Sequence, residues 1–191
     1  DKRYENIITK PEQYRTQILY TQIDRDGNNN PKFTNHTFGV RPDNYFYPAS
    51  TIKLPVAGLA LEKLNRIDLI DKDTYINILP GSDKLTGVTR DLSSGSGFAS
   101  ISHYIHKLFV VSDNDSFNRL YEFLGRDHIN QRLWNLGYAQ TRIRHRLSLS
   151  LTDSENRYTN AFQFFKDSLT IYEQPTPVSY THLRAHETSI D

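Results

Sequence analysis

The chain of 191 residues contains neither cysteine nor methionine. Without cysteine, the chain can form no disulfide bond, thiolate nucleophile or cysteine-ligated metal site. It also lacks a long apolar run: the longest, Leu54 to Leu61, is far shorter than the roughly 20 residues that span a bilayer. Because the chain begins at Asp1 and has no methionine, we expect a processed or clipped product that has already lost any signal peptide.

An excess of charge is missing as well. There are 23 Lys and Arg against 22 Asp and Glu, which gives a net charge of +1. This balance predicts no binding to nucleic acid or to an anionic membrane surface. The hydrophobic share of 37% and the aromatic share of 12% predict a folded globular protein of one domain or two small intertwined ones.

Local patterns predict a hairpin followed by helices. β-forming residues fill 17–23 and 33–40, and the turn-forming segment Asp26 to Asn30 lies between them. Apolar residues then recur at helical spacing in three segments: Ser50–Leu64, Ile101–Val111 and Phe117–Leu124.

Glycine and polar residues mark where these segments end. Gly125 is predicted to cap the third helix, and Asp127 to be the N-cap of a fourth helix that ends at Gly137. Residues 80–97 and 138–160 read as loops, and the aromatic segment 161–173 fits either a helix or a strand. Strands followed by helices favour an α+β fold over an alternating one.

Ser50 and Lys53 form the first candidate for chemistry. A serine hydroxyl becomes nucleophilic when a base removes its proton, and residues three apart on a helix lie on one face. The Lys53 amine can serve as that base only if burial or nearby cations lower its pKa from about 10.4. About one such Ser-x-x-Lys pair is expected by chance in a chain of this length, so an N-cap serine beside a solvated lysine is the alternative.

Ser112, Asp113 and Asn114 form the second candidate, 62 residues after Ser50 and directly after an amphipathic helix. Their short polar side chains are also typical of a helix-breaking loop, in which they bond to nearby backbone. The order and spacing of the two motifs favour a functional interpretation.

Together the motifs resemble a known family. Tyr47-Pro-Ala-Ser-Thr-Ile-Lys53 and Val110-Val-Ser-Asp-Asn114 are similar to the first two signatures of class A β-lactamases and penicillin-binding proteins. The resemblance covers about residues 15–160. It implies an α+β, β-lactamase-like fold, in which an α/β part carries the N-terminal hairpin and an all-helical domain carries Ser50 and Ser112.

The resemblance also implies roles for single residues. Ser50 would be the acylated nucleophile and its backbone N–H an oxyanion-hole donor. Lys53 would be the base or a proton relay, and Ser112 would pass a proton to the leaving nitrogen. Asn114 would bind the side-chain amide of the substrate and help to hold Lys53, while Asp113 would brace the loop.

Two features of the family are not found. The third signature, Lys followed by Thr or Ser and then Gly, is absent, and Lys84-Leu-Thr-Gly87 carries an extra residue and precedes Ser112. The deacylating Glu-x-x-Leu-Asn string is also absent. Glu155 is the remaining candidate for that base, with a solvated loop residue as the alternative.

The C-terminal segment from Val178 to Asp191 resembles a translated vector tail rather than a continuation of the family. We therefore expect a C-terminally truncated protein that lacks its last strands and is inactive in this form. The predicted organisation is 1–46 as the N-terminal part of the α/β domain, 47–160 as the helical domain, 161–177 as a return toward the α/β domain, and 178–191 as a non-native tail.

Several other patterns favour structural roles. His182 and His186, with Glu187, lack the order of a zinc-protease helix. His103 and His106 share a helix face without a third ligand, and are expected at the surface or half-buried. The alternating Arg142, Arg144 and Arg146 predict a strand or loop with one face in solvent.

The resulting prediction is a serine hydrolase resembling class A β-lactamases, acylated at Ser50 by a β-lactam or a peptide-like amide. A D,D-peptidase or esterase of the penicillin-binding type, and a non-catalytic relative that binds a β-lactam or a cell-wall fragment, remain alternatives. No metal or organic cofactor is implied. We expect a monomer acting on a small molecule, with no nucleic-acid or membrane partner, in the periplasm or outside a bacterial cell.

Overall fold

A computed structural model describes residues 2–41 and 44–179, and the chain divides into two compact units. The first extends to Tyr47 and the second begins at Pro48. No helix in the described ranges is long and apolar enough to cross a membrane.

The first unit contains the predicted hairpin. After a short helix α1 (Glu5–Thr9), strand β1 (Ile18–Arg25) pairs antiparallel with β2 (Pro31–Phe38). The Asp26 carboxylate closes the turn by accepting hydrogen bonds from the backbone N–H of Asn28 and Asn30. The hairpin prediction is confirmed, and nearly all of its side chains are exposed within the described chain.

The second unit is organised around four helices: α2 (Lys53–Leu64), α3 (Ile101–Val110), α4 (Asn114–Leu124) and α5 (Arg126–Asn135). Helix α4 lies at the centre, since every residue from Ser116 to Leu124 is buried. Helices α2, α3 and α5 all pack against it. The helical periodicity in the sequence therefore predicted these elements correctly.

The junction between α4 and α5 differs from the prediction. Gly125 has a φ of 81°, a conformation that residues with a Cβ rarely adopt, and it serves both as the C-cap of α4 and as the N-cap of α5. Asp127, the predicted N-cap, lies within the first turn of α5. The prediction was wrong because the two helices share a single joint residue.

A three-stranded antiparallel sheet completes the second unit, with strands in the order β3 (Tyr75–Leu79), β4 (Ala161–Lys166) and β5 (Leu169–Gln174). Burial alternates along β4, and this period of two identifies the ambiguous aromatic segment as a strand. The description of 47–160 as all-helical omitted β3. Segment 161–177, expected to return toward the α/β part, pairs through β4 with β3.

Aromatic packing joins the sheet to the central helix. The Phe123 ring of α4 lies 5.7 Å, between centroids, from both Phe162 and Phe164 of β4. Ile76 and Ile78 of β3 lie opposite those two phenylalanines, and all four side chains are fully buried. Burying a side chain of this size contributes about 1.5–3 kcal/mol, so this contact fixes the sheet against α4.

A polar cluster is buried beside this core. The Glu122 carboxylate, on α4, accepts hydrogen bonds from Arg146 Nε at 2.7 Å and from Asn160 Nδ2 at 2.9 Å, and Arg119 Nη1 lies 3.4 Å away. Arg146 is 1% exposed, so the prediction that it faces solvent is wrong. Its charge is stable inside the protein because Glu122 neutralises it.

The other two arginines of the alternating series also have partners. Arg144 Nη2 donates to Asp153 Oδ1 at 3.1 Å. The Arg142 guanidinium lies 4.5 Å from the centre of the Trp134 ring, whose Nε1 donates to the Thr141 carbonyl. The series therefore fastens the loop that follows α5 to its surroundings.

Glu122→Gln is expected to lower the free energy of unfolding by about 3 kcal/mol, because it leaves the buried Arg146 charge uncompensated. Glu62→Gln is the matched control: Glu62 also bonds to two arginines, but its side chain is 29% exposed, and we expect a much smaller loss. Urea unfolding measures both values. Equal losses in the two variants would contradict this account.

Candidate active site

Ser50 lies in a tight turn that leads into α2. Residues Ala49–Ile52 form one 3₁₀ turn, and the Lys53 backbone N–H donates to the Ser50 carbonyl. Ala49, directly before the serine, has a φ of 45°, a strained value for a residue with a Cβ. Ser50 is exposed, whereas Lys53 is only 3% exposed. One turn thus separates an accessible hydroxyl from a buried amine.

The Lys53 amine joins the two sequence motifs. Its Nζ donates to the Ser112 carbonyl at 2.5 Å, to Ser112 Oγ at 2.9 Å and to Asn114 Oδ1 at 2.6 Å. These three acceptors satisfy all three protons of a lysine ammonium. The Lys53 side chain therefore holds both Ser112 and Asn114, which come 59 and 61 positions later in the sequence.

Ser50 does not share in this network. Within residues 2–41 and 44–179, no hydrogen bond joins Ser50 Oγ to Lys53 Nζ. For Lys53 to accept a proton from Ser50, the amine must lose a proton and release one of its three acceptors. Catalytic hydrogen bonds are often long in ligand-free enzymes and shorten when substrate binds.

Burial and charge have opposite effects on the Lys53 amine. Burial lowers the pKa of Lys53 from its ordinary value, and the negative charge of Asp113 partly opposes that shift. Asp113 is also the N-cap of α4, where its Oδ1 accepts a hydrogen bond from the Ser116 N–H at 2.6 Å. One carboxylate therefore both starts the central helix and moderates the proton affinity of Lys53.

Ser112 occupies a strained position between two helices. Its φ of 53° lies in the left-handed region, between the end of α3 and the start of α4. In this conformation both its carbonyl oxygen and its hydroxyl reach Lys53. Such strain persists where the surrounding contacts enforce it, and functional sites often contain it.

Ser148 joins the cluster, although nothing in the sequence singled it out. Asn114 Nδ2 donates to Ser148 Oγ at 2.7 Å. Ser148 lies in the polar loop after α5, is exposed and has a φ of 57°. It belongs to no recognisable motif, and its partner is 34 residues away, so local sequence carried no signal for it.

Glu155 has a different environment. Its carboxylate accepts hydrogen bonds from the backbone N–H and hydroxyl of Thr152, and its own N–H donates to Thr152 Oγ1. This reciprocal pair is a capping box, and the bonds from Thr152 hold the pKa of Glu155 below its ordinary value. In the described chain, neither Lys53, Ser112 nor Asn114 hydrogen-bonds to a carboxylate.

The histidine candidates show no catalytic arrangement. His103 Nε2 lies 3.1 Å from Ser93 Oγ and 3.2 Å from Asp91 Oδ2. A catalytic triad instead places serine and aspartate on different ring nitrogens. His182, His186 and Glu187 lie outside the described residues, and no group of three or more His, Asp or Glu within those residues could hold a metal ion.

Comparison with known proteins identifies a family. Residues 1–181 match the beta-lactamase enzyme family, and the chain belongs to this family. The matched range includes Ser50, Lys53 and the two residues that bond to the Lys53 amine, Ser112 and Asn114. Membership of this family supports a β-lactamase-like serine hydrolase. No curated protein matches the chain.

We expect the Lys53 amine to titrate with a midpoint below 10.5, the ordinary value for lysine. Asp113→Asn should lower the midpoint further, because it removes a negative charge that stabilises the ammonium while keeping a residue that can cap α4. ¹³C NMR titration of the lysine side chains measures this, with Lys53→Arg to assign the signal.

Asp115→Asn is the control for charge on the same helical turn. Asp115 is exposed and bonds to Arg119, so its replacement should leave the Lys53 midpoint unchanged. A midpoint at or above 10.5 in the wild-type protein, or a rise in Asp113→Asn, would contradict the assignment.

Proposed function

With membership of the beta-lactamase enzyme family as the premise, we propose that the chain is a serine hydrolase acylated at Ser50. The substrate is a β-lactam or a peptide-like amide, and the reaction resembles that of class A enzymes. One observation carries the proposal: the buried Lys53 amine binds both Ser112 Oγ and Asn114 Oδ1, one turn from the exposed Ser50.

The proton transfers of acylation then need only Ser50, Lys53 and Ser112. Neutral Lys53 removes the proton from Ser50 Oγ while the oxygen bonds to the carbonyl carbon of the substrate. The carbon–nitrogen bond breaks next, and the nitrogen takes a proton from Ser112 Oγ. Ser112 regains a proton from Lys53 Nζ across the 2.9 Å hydrogen bond. Each proton is accounted for, and Lys53 returns to its neutral state.

Oxyanion stabilisation is the weaker part of this reaction. The Ser50 backbone N–H is one oxyanion donor. By the family resemblance, the second donor belongs to the strand that carries Lys-Thr-Gly or Lys-Ser-Gly, and neither string occurs in the sequence. Loss of one such donor typically lowers the rate by about 10²–10³. A loss of this size leaves acylation slow rather than absent, so we propose slow acylation by this chain where the missing signature alone led us to expect an inactive one.

A specific observation favours a second function, that of a penicillin-binding D,D-peptidase or esterase. The candidate base Glu155 is bound in its capping box with Thr152, and no carboxylate within the described residues hydrogen-bonds to the site. Without a base to activate water, the acyl-enzyme persists. We also propose a periplasmic or secreted location, because β-lactams and cell-wall peptides are met outside the cytoplasm.

Ser50→Ala is expected to abolish covalent labelling by benzylpenicillin, because it removes the nucleophile. Intact-mass spectrometry should show the added mass of the penicillin on the wild-type chain and on the control Ser150→Ala, which replaces an exposed serine. Labelling of Ser50→Ala equal to that of the wild type would overturn the proposal.

The lifetime of the adduct distinguishes the alternatives. An adduct that disappears with turnover indicates a β-lactamase, and one that persists for hours indicates the penicillin-binding type. A wild-type chain that binds benzylpenicillin without gaining mass would be a non-catalytic binding relative, and acylation would be excluded.

A further inference from the structure

We propose that Ser148 is a positioning residue that fixes the orientation of the Asn114 side-chain amide and thereby the recognition of the substrate. The loop carrying Ser148 would act as part of the active site. This inference rests on the proposed function, because Asn114 is taken to bind the side-chain amide of the substrate.

Asn114 is held at both ends of its amide. The oxygen accepts a hydrogen bond from Lys53 Nζ at 2.6 Å, and the nitrogen donates to Ser148 Oγ at 2.7 Å. An amide rotated by half a turn would place its NH₂ group against the lysine ammonium, where two donors meet. Lys53 therefore selects this orientation, and Ser148 Oγ, by accepting from the nitrogen, holds the amide plane in place.

This orientation leaves one proton on Asn114 Nδ2, since the described structure gives that nitrogen Ser148 as its only acceptor. A substrate carbonyl can accept the remaining proton. Ser148 is exposed, so it lies at the solvent boundary of the cluster, where a substrate arrives.

Leu147, the residue before Ser148, anchors the loop to α4. Asn118, which is 4% exposed, donates from Nδ2 to the Leu147 carbonyl at 3.0 Å and accepts from the Leu147 N–H at 2.8 Å. Asn118 lies four residues after Asn114 and thus on the same face of α4. The helix that carries the substrate-binding amide therefore also holds the loop that orients it.

Arg146, one residue earlier, is a second anchor. Arg146 donates to the buried Glu122 carboxylate and, from Nη2, to the Tyr158 carbonyl at 2.8 Å. Ser148 directly follows these two anchored residues and has a φ of 57°. Such a conformation costs roughly 1–3 kcal/mol in a residue that is not glycine, and the two anchors explain why it is kept.

Ser148→Ala removes the acceptor and should slow acylation by benzylpenicillin, which carries a side-chain amide, by about tenfold, the effect of one neutral hydrogen bond. Acylation by 6-aminopenicillanic acid, which lacks that amide, should change less than about twofold. Lys53 keeps both Ser112 acceptors in this variant, so its part in acylation is maintained.

Two further variants separate the hydrogen bond from backbone strain. Ser148→Gly relieves the strain but offers no acceptor, and it should behave like Ser148→Ala. Ser148→Asn offers a carbonyl acceptor and tolerates a positive φ, so it should restore the benzylpenicillin rate. Ser150→Ala, two residues away and exposed, is the control and should match the wild type with both substrates.

The outcomes separate this inference from the proposed function. If the wild-type chain is acylated by neither compound, the proposed function fails. If the wild type is acylated and Ser148→Ala slows both compounds equally, or neither, the positioning role of Ser148 is overturned. Failure of Ser148→Asn to recover, with unchanged thermal unfolding, would overturn it as well.

Discussion

A helix buried on every side must find partners for most of its own polar groups inside the protein, and α4 pairs several of its buried side chains through long-range contacts. Asn118 holds the backbone of Leu147, and Glu122 neutralises Arg146. The apolar side of the same helix receives the phenylalanines of β4. The loop, the sheet and the neighbouring helices are therefore all positioned by what α4 buries.

The same burial sets the chemistry at the start of α4. Lys53 is removed from water, which favours its neutral form, but three oxygens of Ser112 and Asn114 surround it and favour the charged form. Asp113 adds to the second effect. A lysine whose pKa is lowered in this way gives up a proton more readily than a solvated one, as a relay between two hydroxyl groups requires.

Local sequence was sufficient for elements whose signals are local. The hairpin follows from its turn residues and the helices from their periodicity, whereas the association of Lys53 with Ser112 follows from the family resemblance of two spaced motifs. Arg146 and Ser148 were missed because their partners, Glu122 and Asn114, are 24 and 34 residues away. Strand β3 was missed because five residues carry little periodicity. Asp127 was wrongly assigned as an N-cap because one glycine joins two helices.

The stacking of Arg142 on Trp134 has a practical consequence, since Trp134 is the single tryptophan of the chain. Its ring nitrogen is bonded to the Thr141 carbonyl, at the start of the loop that carries Ser148. Tryptophan fluorescence of the protein thus comes from a single indole, located where α5 meets that loop. Detachment of the loop would move the indole into water and shift its emission to longer wavelength, so the chain carries a built-in optical reporter of the order of the loop that carries Ser148.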